Sequence, residues 1–241
     1  NSAAVCSFTS VEAACETVIA KIQYGLPVAR IELLDAAMVA AVNQYSKLSL
    51  PEEPLLLVEV HGSDTGVAEQ AEAFGAIAQD TGGTGFEWTT KAEERTRLWQ
   101  ARHDAYWAAR ALKPGTEGIS TDVCVPISRL AECVTAAAAK AAALGRAPAP
   151  ILGHVGDGNF HVLLLVDGEN AEEKARAKAF LDWLYEMAID CEGTCTGEHG
   201  IGQGKQGYLV KELGSATQVM ASVKRALDPH NIMNPGKIIV V

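Results

Sequence analysis

The stretch Gly153-His154-Val155-Gly156-Asp157-Gly158-Asn159-Phe160-His161 (GHVGDGNFH) follows the apolar run PIL and precedes the apolar run VLLLV. Asp-Gly is among the strongest two-residue hairpin turns, because both central positions of a type I′ turn need a positive φ. We therefore predict a β-hairpin with Asp157-Gly158 at its turn. Two strands joined by so short a turn run antiparallel, so the stretch indicates an antiparallel sheet.

The predicted hairpin brings two histidines together. With Asp157-Gly158 at the turn, His154 lies directly opposite His161 on one face of the sheet, with Cβ atoms about 4.5–5.5 Å apart. Two neutral imidazoles at that separation are suitable ligands for one metal ion. A pair of histidines on a sheet surface, or one core histidine bonded to a backbone carbonyl, also explains the pattern. Both interpretations stay open on the pair alone.

Strand and helix patterns surround the hairpin. Apolar, β-branched runs predict strands over 54–61, 86–90 and 118–126. Apolar residues at helical spacing predict helices over 10–25, 31–45, 66–80, 91–112, 128–144 and 171–190, and a last helix ending near Leu227. Hairpin signals in place of strict βαβ alternation favour an α+β fold, in which helices flank a large, mainly antiparallel sheet.

The composition excludes several classes of function. The chain has 241 residues, and its 30 acidic and 20 basic side chains give a formal net charge of −10. This charge argues against a nucleic-acid-binding protein, which needs a basic surface. No apolar run approaches the roughly 20 residues of a membrane span. Six scattered cysteines are not needed to hold a chain of this length. We expect them to be buried or inert thiols in a reducing compartment such as the cytosol or the mitochondrial matrix.

A second candidate cluster lies at Thr194–Gly202 (TCTGEHGIG), where Glu198 and His199 stand between glycines. Glycine lets the backbone turn sharply and come close to a ligand. Together with His154 and His161, Glu198 would complete a set of two histidines and one glutamate with open positions, as catalytic metal sites require. His199 would then be free to act as a general base. The alternative is a glycine-rich turn with a solvated Glu-His pair.

Five motifs, in one order along the chain, resemble the C-terminal domain of the FAD-linked D-lactate dehydrogenases, which are flavoproteins of the vanillyl-alcohol-oxidase type. The similarity runs from about Cys6 to Ile239, and it is carried by LWQARH (98–103), STDVCVPISRL (120–130), GHVGDGNFH (153–161), GTCTGEHGIGQGK (193–205) and LDPHNIMNPGK (227–237). The resemblance implies a large antiparallel sheet flanked by helices that caps a flavin domain, in agreement with the pattern of elements.

The resemblance also implies a metal and a base. His154, His161 and Glu198 match the residues that bind a divalent metal, for which we expect Zn²⁺ or Mn²⁺. His199 matches the histidine that sits near the flavin and the substrate hydroxyl. The metal would lower the pKa of that hydroxyl as a Lewis acid, and His199 would take its proton.

Two further residues take roles from the resemblance. Arg102, in the LWQAR helix, matches the arginine that holds the substrate carboxylate, although its position also suits a surface arginine. Asn234, in the NPGK tail, matches the asparagine that lies toward the flavin.

The resemblance implies that residues 1–241 form the substrate- and metal-binding domain of an FAD-dependent D-2-hydroxy-acid dehydrogenase, in particular one for D-lactate, that yields the 2-oxo acid. A cytochrome c or a quinone would be the electron acceptor. The FAD-binding domain would precede residue 1 or come on a partner, and the start at Asn1 favours a fragment. The protein would be cytoplasmic if bacterial and mitochondrial if eukaryotic. The alternatives are a glycolate-oxidase-type subunit of a hetero-complex and a non-catalytic metal-binding domain.

Substrate size follows from two positions. Relatives that oxidise 2-hydroxyglutarate carry an asparagine two residues after the second hairpin histidine and a lysine shortly before the strand proline. The matching positions here are Leu163 and, in an ungapped alignment to Pro126, Ser120. Neither side chain offers a charge to a second, distal carboxylate. We therefore expect small monocarboxylates to be preferred.

Overall fold

A computed structural model of the chain describes residues 1–146 and 148–241. The strands within these residues are β1 (Ser2–Phe8), β2 (Arg30–Leu34), β3 (Leu55–Val60), β4 (Gly83–Thr89), β5 (Glu117–Ser120), β6 (Val123–Cys124), β7 (Ile151–Gly153) and β8 (Asn159–Val166). The helices are α1 (Val11–Gln23), α2 (Ala36–Ser46), α3 (Asp64–Asp80), α4 (Ala92–Ala111), α5 (Leu130–Ala143), α6 (Ala171–Asp190), α7 (Gln206–Leu213) and α8 (Ala216–Leu227).

The strands form one sheet in the order β4-β1-β3-β2-β7-β8-β5, and β6 pairs with β8 beyond the end of β5. The strand pairs recorded within the described residues are antiparallel. The predicted α+β fold with a large antiparallel sheet is therefore confirmed. None of the helices in residues 1–146 and 148–241 combines the length and the apolar character that a membrane crossing requires.

Helices cover both faces of the sheet, and each face has its own core. The larger core packs α1, α3, α5 and α6 against side chains such as Leu33, Phe160 and Val162. The smaller core packs α2 and α4 against Leu34, Leu163 and their neighbours. Because successive side chains in a strand point to opposite faces, Glu32 and His161 lie on the α2 and α4 face.

Local sequence explains where several helices begin. The Ser10 side chain accepts a hydrogen bond from the Ala13 amide at 3.1 Å and thereby caps α1, which lies within the predicted helix over 10–25. Asp35 caps α2 in the same way, with the Met38 amide at 2.8 Å. The prediction of a helix over 31–45 was therefore wrong for its first residues, which form β2. A short apolar run is compatible with a buried strand or a buried helix. Here it forms a strand, because it pairs with β3 on one side and β7 on the other.

The last helix also differs from its prediction. It is divided into α7 and α8 at Gly214, whose φ of 53° ends the first helix. Strand β1 was not predicted, although its residues are nearly all buried. The predicted strand over 118–126 is interrupted between β5 and β6, at the point where Asp122 turns toward the loop that carries Glu198.

The hairpin exists, but its predicted register was wrong. His161 pairs with Leu152 and not with His154, so the β7–β8 connection is longer than two residues. Its residues Val155–Asp157 form a 3₁₀ turn, and Val155 is fully buried in the larger core. Burial of this apolar side chain outweighs the local preference of Asp-Gly for a tight turn.

The six cysteines are all free thiols. Five are buried, and Cys124 is half-buried. Burial raises the pKa of the Cys15 thiol to about 12 and that of Cys6 to about 11. These thiols are therefore poor nucleophiles at neutral pH.

Candidate functional site

Strand β2 positions the first pair of site residues. In the β2–β7 ladder, Leu33 pairs with Gly153 and Leu34 with Leu152, so one further step sets Glu32 opposite His154. The Glu32 side chain is 1% exposed, and its Oε1 lies 2.5 Å from His154 Nδ1. A carboxylate accepts hydrogen bonds, so the geometry assigns the proton to Nδ1 of His154.

Strand β8 positions the second histidine. His161 is buried, and its Nδ1 donates a hydrogen bond to the Thr121 carbonyl at 2.8 Å. Since Leu152 pairs with His161, His154 lies diagonally across from His161 on the same face, and the two ring centroids are 6.2 Å apart. The predicted proximity of the histidines is present, but it arises from a diagonal and not from a direct pair.

Both imidazoles direct their other nitrogen at Glu198. The Nε2 atom of His161 lies 3.0 Å from Glu198 Oε1, and the Nε2 atom of His154 lies 3.4 Å from the same oxygen. Ligand atoms of the three residues all lie within 4.8 Å of one another. Each histidine is anchored through Nδ1, which is the arrangement that orients imidazole ligands in metal sites. The three residues predicted to bind a metal are therefore brought together with suitable donor atoms.

The two histidines have different electrostatic environments. The hydrogen bond to Glu32 raises the pKa of His154, against a smaller opposing effect of burial. Burial lowers the pKa of His161, against the effect of its bond to Thr121. A neutral imidazole is the form that binds metals, so the environment of His161 favours metal binding at neutral pH.

The loop after α6 places Glu198 and His199 over the sheet. The Glu198 side chain is 46% exposed, and His199 is exposed while its ring stacks on that of His161, with centroids 4.9 Å apart and planes 10° apart. A Cβ at Gly197 would overlap with the Asn159 side chain, so only glycine lets the loop approach β8 so closely. The structure thus places His199 beside the three candidate ligands, with its ring accessible.

Asp122 lies beneath this loop and is a site residue that the sequence analysis missed. Its buried carboxylate accepts hydrogen bonds from the side chains of Asn159 and Thr196 and from the amides of residues 197–199. Burial alone would raise the pKa of Asp122, but these hydrogen bonds and the nearby Lys205 ammonium outweigh it and hold the pKa well below the usual range. The carboxylate is therefore ionised at neutral pH.

Asp122, His161 and His199 form a second group with the spacing of metal ligands. Both oxygens of Asp122 already accept hydrogen bonds, however, and the His161 Nδ1 atom that lies nearest is bound to Thr121. The set of His154, His161 and Glu198 keeps its Nε2 atoms directed at an exposed carboxylate. It is the better candidate for a metal site.

Helix α4 brings Arg102 to the same cluster. The Arg102 Nε atom lies 2.9 Å from Glu32 Oε2, and the arginine side chain is 19% exposed. Glu32 therefore bridges Arg102 and His154. The sequence analysis did not single out Glu32, although an acidic residue within the apolar strand RIELL is the signal that could have found it.

Asn234 lies in the exposed C-terminal tail, with a φ of 47°. The tail is tied to the loop of the site because the Ile238 amide donates to the Gly202 carbonyl at 2.7 Å and Gln206 donates to the Gly236 carbonyl at 3.0 Å. Asn234 thus belongs to a segment attached to the His199 loop, but among the described residues no hydrogen bond links Asn234 to His154, His161, Glu198 or His199.

The two positions that bear on substrate size are neighbours. Ser120 in β5 pairs directly with Leu163 in β8, and Leu163 lies two residues beyond His161 on the same face. Leu163 is 2% exposed and packs in the smaller core. It is not a free side chain in an open pocket.

The chain matches known proteins over nearly its whole length. Residues 1–238 match the family described as FAD linked oxidases, C-terminal domain. A probable mitochondrial D-lactate dehydrogenase of Danio rerio is 46% identical over 98% of this chain and 48% of its own length. The mitochondrial D-lactate dehydrogenase (cytochrome) of Arabidopsis thaliana is 39% identical over 98% of this chain and 42% of its own length.

More distant relatives extend the comparison. The glycolate oxidase subunit GlcD of Bacillus subtilis is 34% identical over 96% of this chain and 49% of its own length. The solved structure of 4-ethylphenol oxidase from Gulosibacter chungangensis has a TM-score of 0.71 at 13% identity, over 99% of this chain and 53% of that one. The chain spans about half the length of the curated relatives it matches. By its sequence and its fold, the chain belongs to the family of C-terminal domains of FAD-linked oxidases.

Proposed function

We propose that this domain binds a divalent metal and the 2-hydroxy-acid substrate in an FAD-dependent D-2-hydroxy-acid dehydrogenase, with D-lactate as the substrate and the 2-oxo acid as the product. The observation that carries the proposal is the convergence of His154 Nε2 and His161 Nε2 on one oxygen of Glu198. The relatives named as D-lactate dehydrogenases support the choice of substrate.

The donor set fits a metal such as Zn²⁺ or Mn²⁺. Two imidazole nitrogens and one carboxylate suit both ions, and each imidazole has its Nδ1 atom anchored by an acceptor. Glu198 and His154 are partly exposed, so the cluster is accessible to a substrate. When bound, the cation would supply a Lewis acid and the flavin a hydride acceptor.

The residues of this chain have distinct roles in the proposed reaction. Arg102 binds the substrate carboxylate, since its guanidinium has five N–H donors and Glu32 uses the one on Nε. His199 takes the proton of the 2-hydroxyl group, because its ring is exposed and stacked directly on His161. Glu32 holds Arg102 and His154 at one carboxylate, so that substrate binding and metal binding occur side by side.

The proposal includes an FAD-binding domain, in cis or in trans, and an acceptor such as cytochrome c or a quinone. Asn234 and His199 would meet the flavin from this side. An exposed apolar face of α8 supports the proposal of a partner domain. On this face, Val219, Val223 and Leu227 repeat at helical spacing, and all three are exposed. The mitochondrial D-lactate dehydrogenases and bacterial GlcD proteins among the relatives favour mitochondria in a eukaryote and the cytoplasm in a bacterium.

The metal assignment is tested by elemental analysis of the purified holoprotein and two histidine variants. We expect about one equivalent of zinc or manganese in the wild type and almost none in His161→Ala, because removal of one ligand from three leaves a weak site. His61→Ala is the matched control, since the His61 side chain is hydrogen-bonded to Glu59 and lies outside the cluster. Equal metal content in the wild type and His161→Ala would refute the proposed site.

A second candidate function is that of a glycolate-oxidase-type subunit in a hetero-complex, which the match to GlcD proteins favours. Steady-state turnover of D-lactate and glycolate by the holoenzyme separates the two candidates. We expect a higher kcat/KM for D-lactate. A preference for glycolate supports the second candidate, and a holoprotein with metal but no turnover of either acid would indicate a non-catalytic metal-binding domain.

A further inference from the structure

The Asp122 carboxylate gathers an unusual number of donors from one short segment. Its Oδ2 atom accepts hydrogen bonds from the Thr196 hydroxyl at 2.7 Å and from the amides of Gly197 at 2.8 Å and His199 at 2.9 Å. The Glu198 amide donates to the same carboxylate, with Oδ2 at 3.1 Å. Three successive backbone N–H groups therefore surround one anion, which is the arrangement of an anion-binding nest.

Lys205 binds both Asp122 and the loop that Asp122 holds. Its Nζ atom donates to the Asp122 carbonyl at 2.9 Å and to the Cys195 carbonyl at 2.7 Å, and it lies 3.5 Å from Asp122 Oδ2. The lysine side chain is only 11% exposed. One buried ammonium group thus joins the strand region of Asp122 to the start of the loop.

Apart from the Thr196 hydroxyl, the loop's bonds to Asp122 come from backbone amides, so they leave the side chains of Glu198 and His199 free. The Glu198 side chain reaches the two histidines, and the His199 ring stacks on His161, while both amides bind Asp122. The direction of the Glu198 and His199 side chains therefore depends on a carboxylate that is hydrogen-bonded to their backbone amides.

We propose, on the basis of the metal and substrate function proposed above, that Asp122 is a positioning residue whose ionised carboxylate fixes the backbone of residues 197–199 and thereby directs Glu198 and His199 at the site. An anion is needed because the surrounding groups are all donors. An asparagine would offer one acceptor oxygen and an NH₂ group that faces other N–H groups.

Amide hydrogen exchange of the complete purified protein, in the wild type and in Asp122→Asn, tests the proposal directly. Loss of hydrogen bonds to a charged acceptor should speed exchange of the amides of residues 197–199 by about 10- to 100-fold. The matched control is Glu212→Gln. Glu212 accepts from the Cys195 amide at 3.0 Å and from the Thr194 hydroxyl at 3.1 Å, so it binds the same loop at its start. This control should speed exchange at Cys195 and leave residues 197–199 unchanged.

Two functional measurements distinguish positioning from general stability. Affinity for Zn²⁺ or Mn²⁺ should weaken by about 10- to 100-fold in Asp122→Asn, as is usual when a group that orients a ligand is removed. In the holoenzyme, kcat should fall because His199 is displaced, while KM for D-lactate should change little because Arg102 is untouched. Glu212→Gln should show neither effect.

Several outcomes would overturn the proposal. Unchanged exchange at residues 197–199 in Asp122→Asn would do so, whatever happens to the metal. Weaker metal binding with unchanged exchange would make Asp122 a ligand. Equal acceleration in both variants would reduce its role to general stability. A wild type without metal refutes the proposed function, but the exchange comparison still decides the role of Asp122.

A milder variant covers the case in which Asp122→Asn does not fold. Thr196→Val keeps the carboxylate and removes only the hydroxyl donor to Oδ2. Exchange at residues 197–199 should then rise by a few-fold, and wild-type exchange in this folded variant would overturn the proposal.

Discussion

Glu32 links the candidate substrate-binding residue Arg102 to the candidate metal ligand His154. Its carboxylate is almost completely buried and accepts from both Arg102 and His154. A charge in such a place is costly unless it is paired and hydrogen-bonded. The pairing with Arg102 satisfies this need, and it also keeps the arginine beside the candidate metal ligands.

His199 is the candidate general base. Its replacement should affect catalysis without affecting metal binding. His199→Ala in the holoenzyme should lower kcat with D-lactate by about 10²–10⁴-fold, the usual contribution of a positioned general base. Metal content should stay close to that of the wild type, because His154, His161 and Glu198 remain. Steady-state kinetics and elemental analysis provide the check. Loss of metal along with turnover would mean that His199 is itself a ligand.

Asp35 gives a prediction for the dependence of stability on pH. Burial raises the pKa of Asp35 to about 6, against the hydrogen bond from the Met38 amide, whereas an unfolded aspartate titrates near about 3.9. Between these values the native state binds more protons than the unfolded state, so stability falls as the pH rises from about 4 to about 6.

Asp35→Asn should keep the N-cap and remove the fall in stability that deprotonation of Asp35 causes. Its free energy of unfolding relative to the wild type should therefore increase by about 1–3 kcal/mol between about pH 4 and pH 7. Urea unfolding of both proteins across that range measures the difference. Parallel stability curves would show that Asp35 titrates normally.

At the scale of elements, the β7–β8 connection shows how packing decides a turn. Gly158 has a φ of 81°, and a Cβ there would overlap with the Val125 carbonyl oxygen. The Val125 amide also donates to the Gly158 carbonyl at 3.0 Å. The connection is therefore held against the segment after β6, and it cannot relax into a two-residue turn without losing these contacts.

Gly158→Ala and Gly115→Ala separate backbone strain from steric overlap. Gly115 has a φ of 83°, close to that of Gly158, but nothing lies within 4 Å of a Cβ at that position. Gly115→Ala should lower the free energy of unfolding by about 1–2 kcal/mol, the cost of the left-handed conformation. Gly158→Ala should lower it by about 1–3 kcal/mol more because of the overlap. Denaturant unfolding at one pH provides the comparison, and equal losses would contradict the proposed close contact.

At the scale of the whole molecule, the sheet separates the face with the larger core from the face with the candidate site. Four helices cover the face that carries the larger core, whereas α2 and α4 cover the other face together with Glu32, His161 and Arg102. The exposed apolar side chains of α8 and the tail add a surface beside the loop of the site.

The same face bears on substrate choice. Ser120 and Leu163 form a direct cross-strand pair near His161, and the buried Leu163 leaves a distal carboxylate neither a charge nor open space. Burying an unpaired carboxylate costs several kcal/mol, and about 1.4 kcal/mol corresponds to a factor of ten in rate. The holoenzyme should therefore prefer D-lactate over D-2-hydroxyglutarate by about 100-fold or more in kcat/KM. Equal efficiency would mean that a basic residue such as Arg110 or Lys113 reaches the substrate.

The sequence by itself determined most elements of the fold and the members of the candidate metal set. Helix α6 has the predicted bounds, and α1 lies within its predicted range, because apolar periodicity is a local property. His154, His161 and Glu198 could be named because they stand in short motifs rich in glycine. Their roles remain predictions until they are tested.

Only the tertiary structure decided the register of the hairpin, the strand at residues 30–34 and the parts played by Glu32 and Asp122. Each depends on partners far away in sequence: Val155 enters a core formed by other elements, Glu32 meets Arg102, and Asp122 meets the loop before Lys205. Local patterns indicate which conformations a segment can adopt. The burial of apolar groups and the pairing of buried charges then select one of them, and these energies depend on contacts that exist only in the folded chain.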